Sequence, residues 1–164
     1  MSFRDLVISK SFLPKWRYRK EYYKILDIEK TQYLLICNDL YTRRIARDYA
    51  ISFAVDYIVH HNINYPVQYW NKALLIDRFN NREYERVADI GFLIFEGIDE
   101  AVTQREMDLI STFITPFIMD EQPLILISSK LDDSYFHQFR AYTFGTQLLD
   151  LNEVILDEAL QSRS

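Results

Sequence analysis

Tyr33-Leu34-Leu35-Ile36-Cys37-Asn38-Asp39-Leu40-Tyr41-Thr42-Arg43-Arg44 is the stretch from which the fold is read. The continuous apolar run Tyr33–Ile36 is what a strand buried on both faces requires. Polar residues follow. From Thr42 to His60 apolar side chains then recur every three or four positions, at Ile45, Ala46, Tyr49, Ala50, Phe53, Ala54, Tyr57 and Ile58. That spacing stacks them along one side of a helix. A buried strand running straight into an amphipathic helix is the opening half of a parallel crossover unit.

The same alternation continues along the chain. Tyr65–Trp70 reads as a second strand, and Asn71 as the cap of a helix running to about Arg86. Ile90–Phe95 is a third strand. Thr103 followed by Glu106 has capping-box spacing and opens a helix carrying Met107, Ile110, Phe113, Ile114 and Phe117, with Pro116 as a kink or a boundary. Pro123–Ser128 is a fourth strand, residues 134–142 a weaker helix, and Glu153–Leu156 a short fifth strand. Alternating strands and helices imply an α/β fold: a three-layer parallel sheet of about five strands with helices on both faces. Ligands of such sheets sit beyond the carboxyl ends of the strands, which directs attention to the residues after Ile36, Phe95 and Ser128.

Composition narrows the chemistry. The chain has 164 residues, 49% hydrophobic and 26% charged, enough for one domain with a full core. Only Gly91, Gly97 and Gly145 are glycine, and none falls in the first ninety residues. An intact glycine-rich phosphate loop in the N-terminal half is therefore excluded. A single cysteine, Cys37, excludes an internal disulfide and a thiolate metal cluster. No run of about 18 apolar residues suggests a membrane span, and the first ten residues do not resemble a secretory signal, so a cytoplasmic location is expected.

Charge is divided unevenly. Residues 1–24 carry seven basic side chains against Asp5 and Glu21, a net +5, whereas residues 25–164 carry 12 basic and 22 acidic, a net −10. The chain thus reads as a basic arm (1–24), an α/β domain (25–157) and a short tail (158–164). Within the arm Lys15, Trp16, Arg17, Tyr18, Arg19 and Lys20 interleave cations with aromatics, the combination that holds single-stranded nucleic acid by phosphate contact and base stacking. The same residues suit a segment whose rings pack on its own domain while lysine and arginine stems cover apolar surface.

The segment after the first strand has the position and length of a Walker A loop, G-x-x-x-x-G-K-[ST], without its residues. Cys37 and Thr42 stand where the glycines belong, Arg43 replaces the lysine and Arg44 the hydroxyl. Side chains at Cys37, Asn38 and Asp39 would crowd the backbone cradle, although two arginines at a helix N-terminus could still attract an anion. After the third strand Glu96 stands where a Walker B strand supplies its metal-organising acid, and Gly97 where the second acid is expected. Asp99 and Glu100 lie farther along. After the fourth strand Ser128-Ser129-Lys130 occupies the place of a polar γ-phosphate sensor.

Together with Phe12–Arg17, Ala88–Asp99 and Pro123–Lys130, these positions resemble the AAA+ domain of bacterial and phage replicative-helicase loaders and the related ATP-binding helpers of transposases. The likeness runs in order over about residues 10–156. It implies a P-loop NTPase fold without a helical lid domain, and a partner that is a replicative helicase or another replication or recombination protein, with single-stranded DNA as a further contact. Because glycines, lysine, second acid and sensor asparagine are all missing, the likeness points to a pseudo-ATPase: no catalytic residue, no cofactor and no metal. Two other readings stand beside it. One is a divergent nucleotide-dependent ATPase using Arg43 and Glu96; the other is a structural or host-takeover protein acting as an oligomer. Adjacent His60 and His61 diverge on a helix and do not share a metal.

Overall fold

The structure, a computed structural model, describes residues 7–8, 32–37, 39–81, 89–129 and 147–150. Strands β1 (Val7–Ile8), β2 (Gln32–Ile36), β3 (Val67–Asn71), β4 (Phe92–Glu96), β5 (Leu124–Ser128) and β6 (Gln147–Asp150) form one sheet in the order β1-β3-β4-β5-β2-β6. All pairings from β3 to β6 are parallel; only β1 runs antiparallel, against β3. The expected α/β architecture with a parallel sheet is therefore present. Helix α1 (Leu40–His60) links β2 to β3, α2 (Lys72–Asn80) links β3 toward β4, and α3 (Gln104–Met119) links β4 to β5.

Apolar runs form these strands because both faces are covered. Tyr33 and Leu35 of β2, Phe92 and Ile94 of β4, and Ile125 and Ile127 of β5 pack against Tyr49, Phe53, Tyr57 and Ile58 of α1. Their alternate neighbours Leu34, Leu93, Phe95, Leu124 and Leu126 face Leu75 of α2 and Ile110, Ile114 and Phe117 of α3. The period of two is obeyed in every central strand, and each fully buried large side chain contributes about 1.5–3 kcal/mol. Edge-to-face rings knit the first cluster: Phe53 meets Tyr33 at 5.7 Å and Phe92 at 6.0 Å. α1 carries the chain past two strands to the sheet's margin, and the two following units step back. With right-handed crossovers that reversal puts α2 and α3 on the face opposite α1.

Local signals end the elements largely where the sequence placed them. The Asn71 side chain accepts the Leu74 N–H at 2.9 Å. The Thr103 hydroxyl accepts from Glu106 N–H, and the Glu106 carboxylate accepts from Val102 N–H, one residue outside the usual box. Pro116 lies inside α3, which continues to Met119.

A strand near the C-terminus is present at Gln147–Asp150; the strand expected at Glu153–Leu156 and the helix expected over 134–142 lie outside the described residues. Two expectations change. α2 stops at Asn80 rather than near Arg86, with Asn81 closing it. Val7–Ile8, in the stretch read as an arm, joins the sheet.

Gly91 is needed by sterics. A Cβ there would lie 2.3 Å from the Tyr65 carbonyl oxygen, and the Gly91 N–H donates to Pro66 O at 2.8 Å. Gly91→Ala should lower unfolding free energy by about 2 kcal/mol, within the range of overpacked core positions. Denaturant titration with an unchanged m-value checks this.

Candidate functional site

β2 and β5 lie side by side in register, Ile36 opposite Ser128. Backbone bonds continue the ladder past the carboxyl ends: Cys37 N–H, after β2, donates to Ser128 O at 2.9 Å, and Gly97 N–H, after β4, donates to Ile127 O of β5 at 2.7 Å. The chain leaves β2 into α1 on one face and reaches β5 from α3 on the other, so this is where the topology reverses and a crevice is expected. The loops after β2, β4 and β5 meet here.

Arg43 ties them together. Its guanidinium donates to both Asp99 oxygens at 2.9 and 3.0 Å, to Glu100 Oε1 at 3.0 Å and to Ser129 Oγ at 3.1 Å. One turn farther along α1, Arg47 grips Glu96 in a two-pronged bond, 2.8 Å on each arm, and lies 5.6 Å over the Tyr69 ring. Glu96 and the Arg43–Asp99 pair are nearly withdrawn from water, while Arg47 stays partly exposed. Lys72 at the start of α2 adds a third tie, bonding Glu100 O and the Glu106 carboxylate.

The backbone explains why these groups converge. Gly97 has φ +90°, the left-handed region, and starts a short 3-10 turn over Ile98–Glu100. A side chain at Gly97 would lie within 2.7 Å of the Glu100 carboxyl carbon. The turn folds Asp99 and Glu100 back over the strand ends. By spacing alone they stood too far past β4 to act there; the left-handed step returns them to the crevice.

The loop after β2 is shorter than expected. α1 begins at Leu40, so Cys37-Asn38-Asp39 is the whole connection, and Thr42, Arg43 and Arg44 lie inside the helix. The loop of Walker A length is thus corrected to three residues. With no glycine to hold an open cradle, the segment winds into helix as soon as Leu40 and Tyr41 allow. Of the expected positions, Cys37, Arg43, Glu96 and Gly97 are brought together with Ser129, whereas Arg44 is exposed. Lys130 and the arm residues Lys15, Trp16, Arg17, Tyr18, Arg19 and Lys20 lie outside the described residues, as does the side chain of Thr42.

Arg47 and Tyr69 were not singled out from sequence. A signal existed: Arg47 follows Arg43 by four residues and shares its helix face.

Electrostatics follow from this packing. Burial opposes the charge on Arg43, but Asp99 more than compensates and keeps it firmly protonated; Glu96 does the same for Arg47. Burial, with Glu96 nearby, pushes the Tyr69 phenol up. Burial also pushes the Cys37 thiol up to about 11, against a smaller opposing pull from Arg43. Among the described residues no three histidine, cysteine or acidic side chains come together as a metal site. The chain matches no family model and no curated protein.

Two measurements test the site. Arg43→Ala should cost about 3 kcal/mol because it strands Asp99 without its partner, whereas Arg44→Ala should stay within about 0.5 kcal/mol; chemical denaturation distinguishes them. Because the folded thiol of Cys37 titrates higher than an unfolded one, the native state holds an extra proton between the two values. Stability should therefore be full below about pH 9 and fall as pH rises toward about 11. Cys37→Ala should remove that part of the alkaline slope.

Proposed function

We propose that this chain is a non-catalytic, P-loop-like scaffold that works in the cytoplasm by binding a replicative helicase or another replication or recombination protein, with single-stranded DNA as a further contact through Lys15–Lys20. The observation that carries the non-catalytic half is the Arg43 clamp. The cation at the P-loop lysine position is already bonded to Asp99, Glu100 and Ser129. The acid at the Walker B position is likewise taken up by Arg47.

The physics of the helix start supports this reading. A helix N-terminus carries partial positive charge and favours an anion, which a P-loop supplies as bound phosphate. α1 has no acidic residue in its first turn, Asp39 stands immediately before it, and Arg43 adds a cation that favours further anionic partners. Asp99 and Glu100 answer that demand with the chain's own carboxylates. A nucleotide would have to displace two carboxylates, one partly buried, and would find a three-residue loop with no glycine to wrap its phosphates.

The sheet also agrees with a P-loop-like fold. Its parallel core has the first long strand in an inner position and helices on both faces. The helicase partner rests on the sequence resemblance alone.

Calorimetry with Mg-ATP at millimolar concentration should give no binding heat, while a purified replicative helicase should bind with a Kd at or below about 1 μM. Binding to the single-stranded oligonucleotide should weaken steeply with salt and on neutralising Lys15, Arg17, Arg19 and Lys20. ATP binding that is lost in Arg43→Ala would instead establish a divergent nucleotide-binding protein. Failure to bind helicase would remove the replication partner.

A further inference from the structure

The end of the sheet opposite the clamp carries a cleft of about 520 Å³. It is walled by residues just ahead of three adjacent strands: Ile63 and Tyr65 before β3, Ile90 and Gly91 before β4, Gln122 and Pro123 before β5. The volume is that of a small-ligand or side-chain pocket, and its walls are mainly apolar. Tyr65 is half exposed at the rim, and Asp120 lines one side.

The topology brings one segment of the chain to this place. β1 runs antiparallel to β3, with Val7 opposite Gln68 and Ile8 opposite Val67, so the chain passes Ile8 toward the amino end of β3. It enters the sheet again at Gln32, the amino end of β2. In the sheet β3, β4 and β5 lie between β1 and β2. Ile8 and Gln32, the described residues that flank the intervening 23, therefore both lie toward the end where the cleft opens, with the cleft between them. The separation is four strand spacings, about 19 Å, well within the reach of 23 residues.

Charge and residue type match as well. α1, α2 and α3 all run opposite to the parallel strands, so their carboxyl ends, His60, Asn80 and Met119, collect at this end and present partial negative charge. Exposed Asp89, Asp120 and Glu121 add full charges. The turns 59–66, 89–91 and 118–123 contain no lysine or arginine, although Arg86 lies three residues before Asp89 and Lys72 six after Pro66. Residues 10–24 offer the complement: six lysines and arginines against one glutamate, interleaved with Phe12, Trp16, Tyr18, Tyr22 and Tyr23.

We infer that this cleft is the docking site of the chain's own basic aromatic segment, residues 10–24, with ring side chains in the apolar cleft and the cations over the acidic rim. Lysine and arginine stems lie along apolar surface while their heads reach the carboxylates. The inference stands on the topology and the cleft and does not need the replication reading; single-stranded DNA would have to compete with the acidic rim for the same cations.

The full chain carrying Tyr65→p-benzoylphenylalanine tests it. Irradiation at low micromolar concentration, followed by peptide mass spectrometry, should yield a crosslink into residues 10–24 of the same chain. Asp89→Lys with Asp120→Lys should reduce that yield about five-fold or more, with circular dichroism and the denaturation midpoint unchanged. Raising salt from about 0.05 to about 0.5 M on the chain without those two changes should lower it too, so the result does not hang on one variant. A crosslink that forms only between two chains would make a second copy the occupant and overturn the inference. So would crosslinks confined to other segments, or a yield insensitive to both charge reversal and salt.

Discussion

Burial of a parallel sheet on both faces is the constraint from which the rest follows. Each crossover helix must return antiparallel to the strands it connects, so strand carboxyl ends and helix amino ends gather on one side. Strand amino ends and helix carboxyl ends gather on the other. The two ends of the domain are therefore electrically unlike before any charged side chain is considered. Tyr33, Leu35, Phe92, Ile94, Ile125 and Ile127 hold α1 on one face, and Leu34, Phe95, Leu124 and Leu126 hold α2 and α3 on the other. Loss of either layer would expose a sheet that has almost no polar surface of its own.

At the carboxyl end the positive helix start is answered from within. Arg43 and Arg47, one helical turn apart, face Asp99, Glu100 and Glu96 from the loop and strand opposite. Such pairs are expensive to form and more expensive to break singly, because the remaining charge would sit in a site from which water is largely excluded. Their effect is to fix the loops after β2, β4 and β5 against one another. A crevice of this kind ordinarily receives a ligand; here its polar groups are largely turned on each other. At the amino end the situation is reversed, with negative helix ends and exposed carboxylates around a cleft that is mainly apolar.

Much of this was legible in the residues. The runs at 33–36, 92–95 and 124–127 had to be two-sided strands, since no amphipathic pattern thins them. Asn71 and Thr103 announced helix starts by chemistry that acts over three residues. The candidate site was half visible: Cys37, Arg43, Glu96 and Gly97 were picked out because they follow strand ends. What escaped was partnership. Asp99 and Glu100 were set aside on linear distance, which a single left-handed residue at Gly97 makes irrelevant. Nothing in the apolar pattern marks Arg47, because periodicity ranks apolar positions and says nothing about which charge will find a carboxylate across a sheet. The loop after β2 was over-long by analogy, since helix propagation from Leu40 depends on packing that no local motif encodes.

The sequence by itself determined the layers: which segments form the central strands, which wrap as helices between them, and that both sheet faces are covered, because these follow from apolar spacing over a few residues. Only the tertiary structure decided strand order, the meeting of Arg43 with Asp99, Glu100 and Ser129, and the cleft at the far end. Those depend on contacts between residues about 50 to 90 positions apart, made when strands that are distant in sequence become neighbours and a buried charge must have a partner.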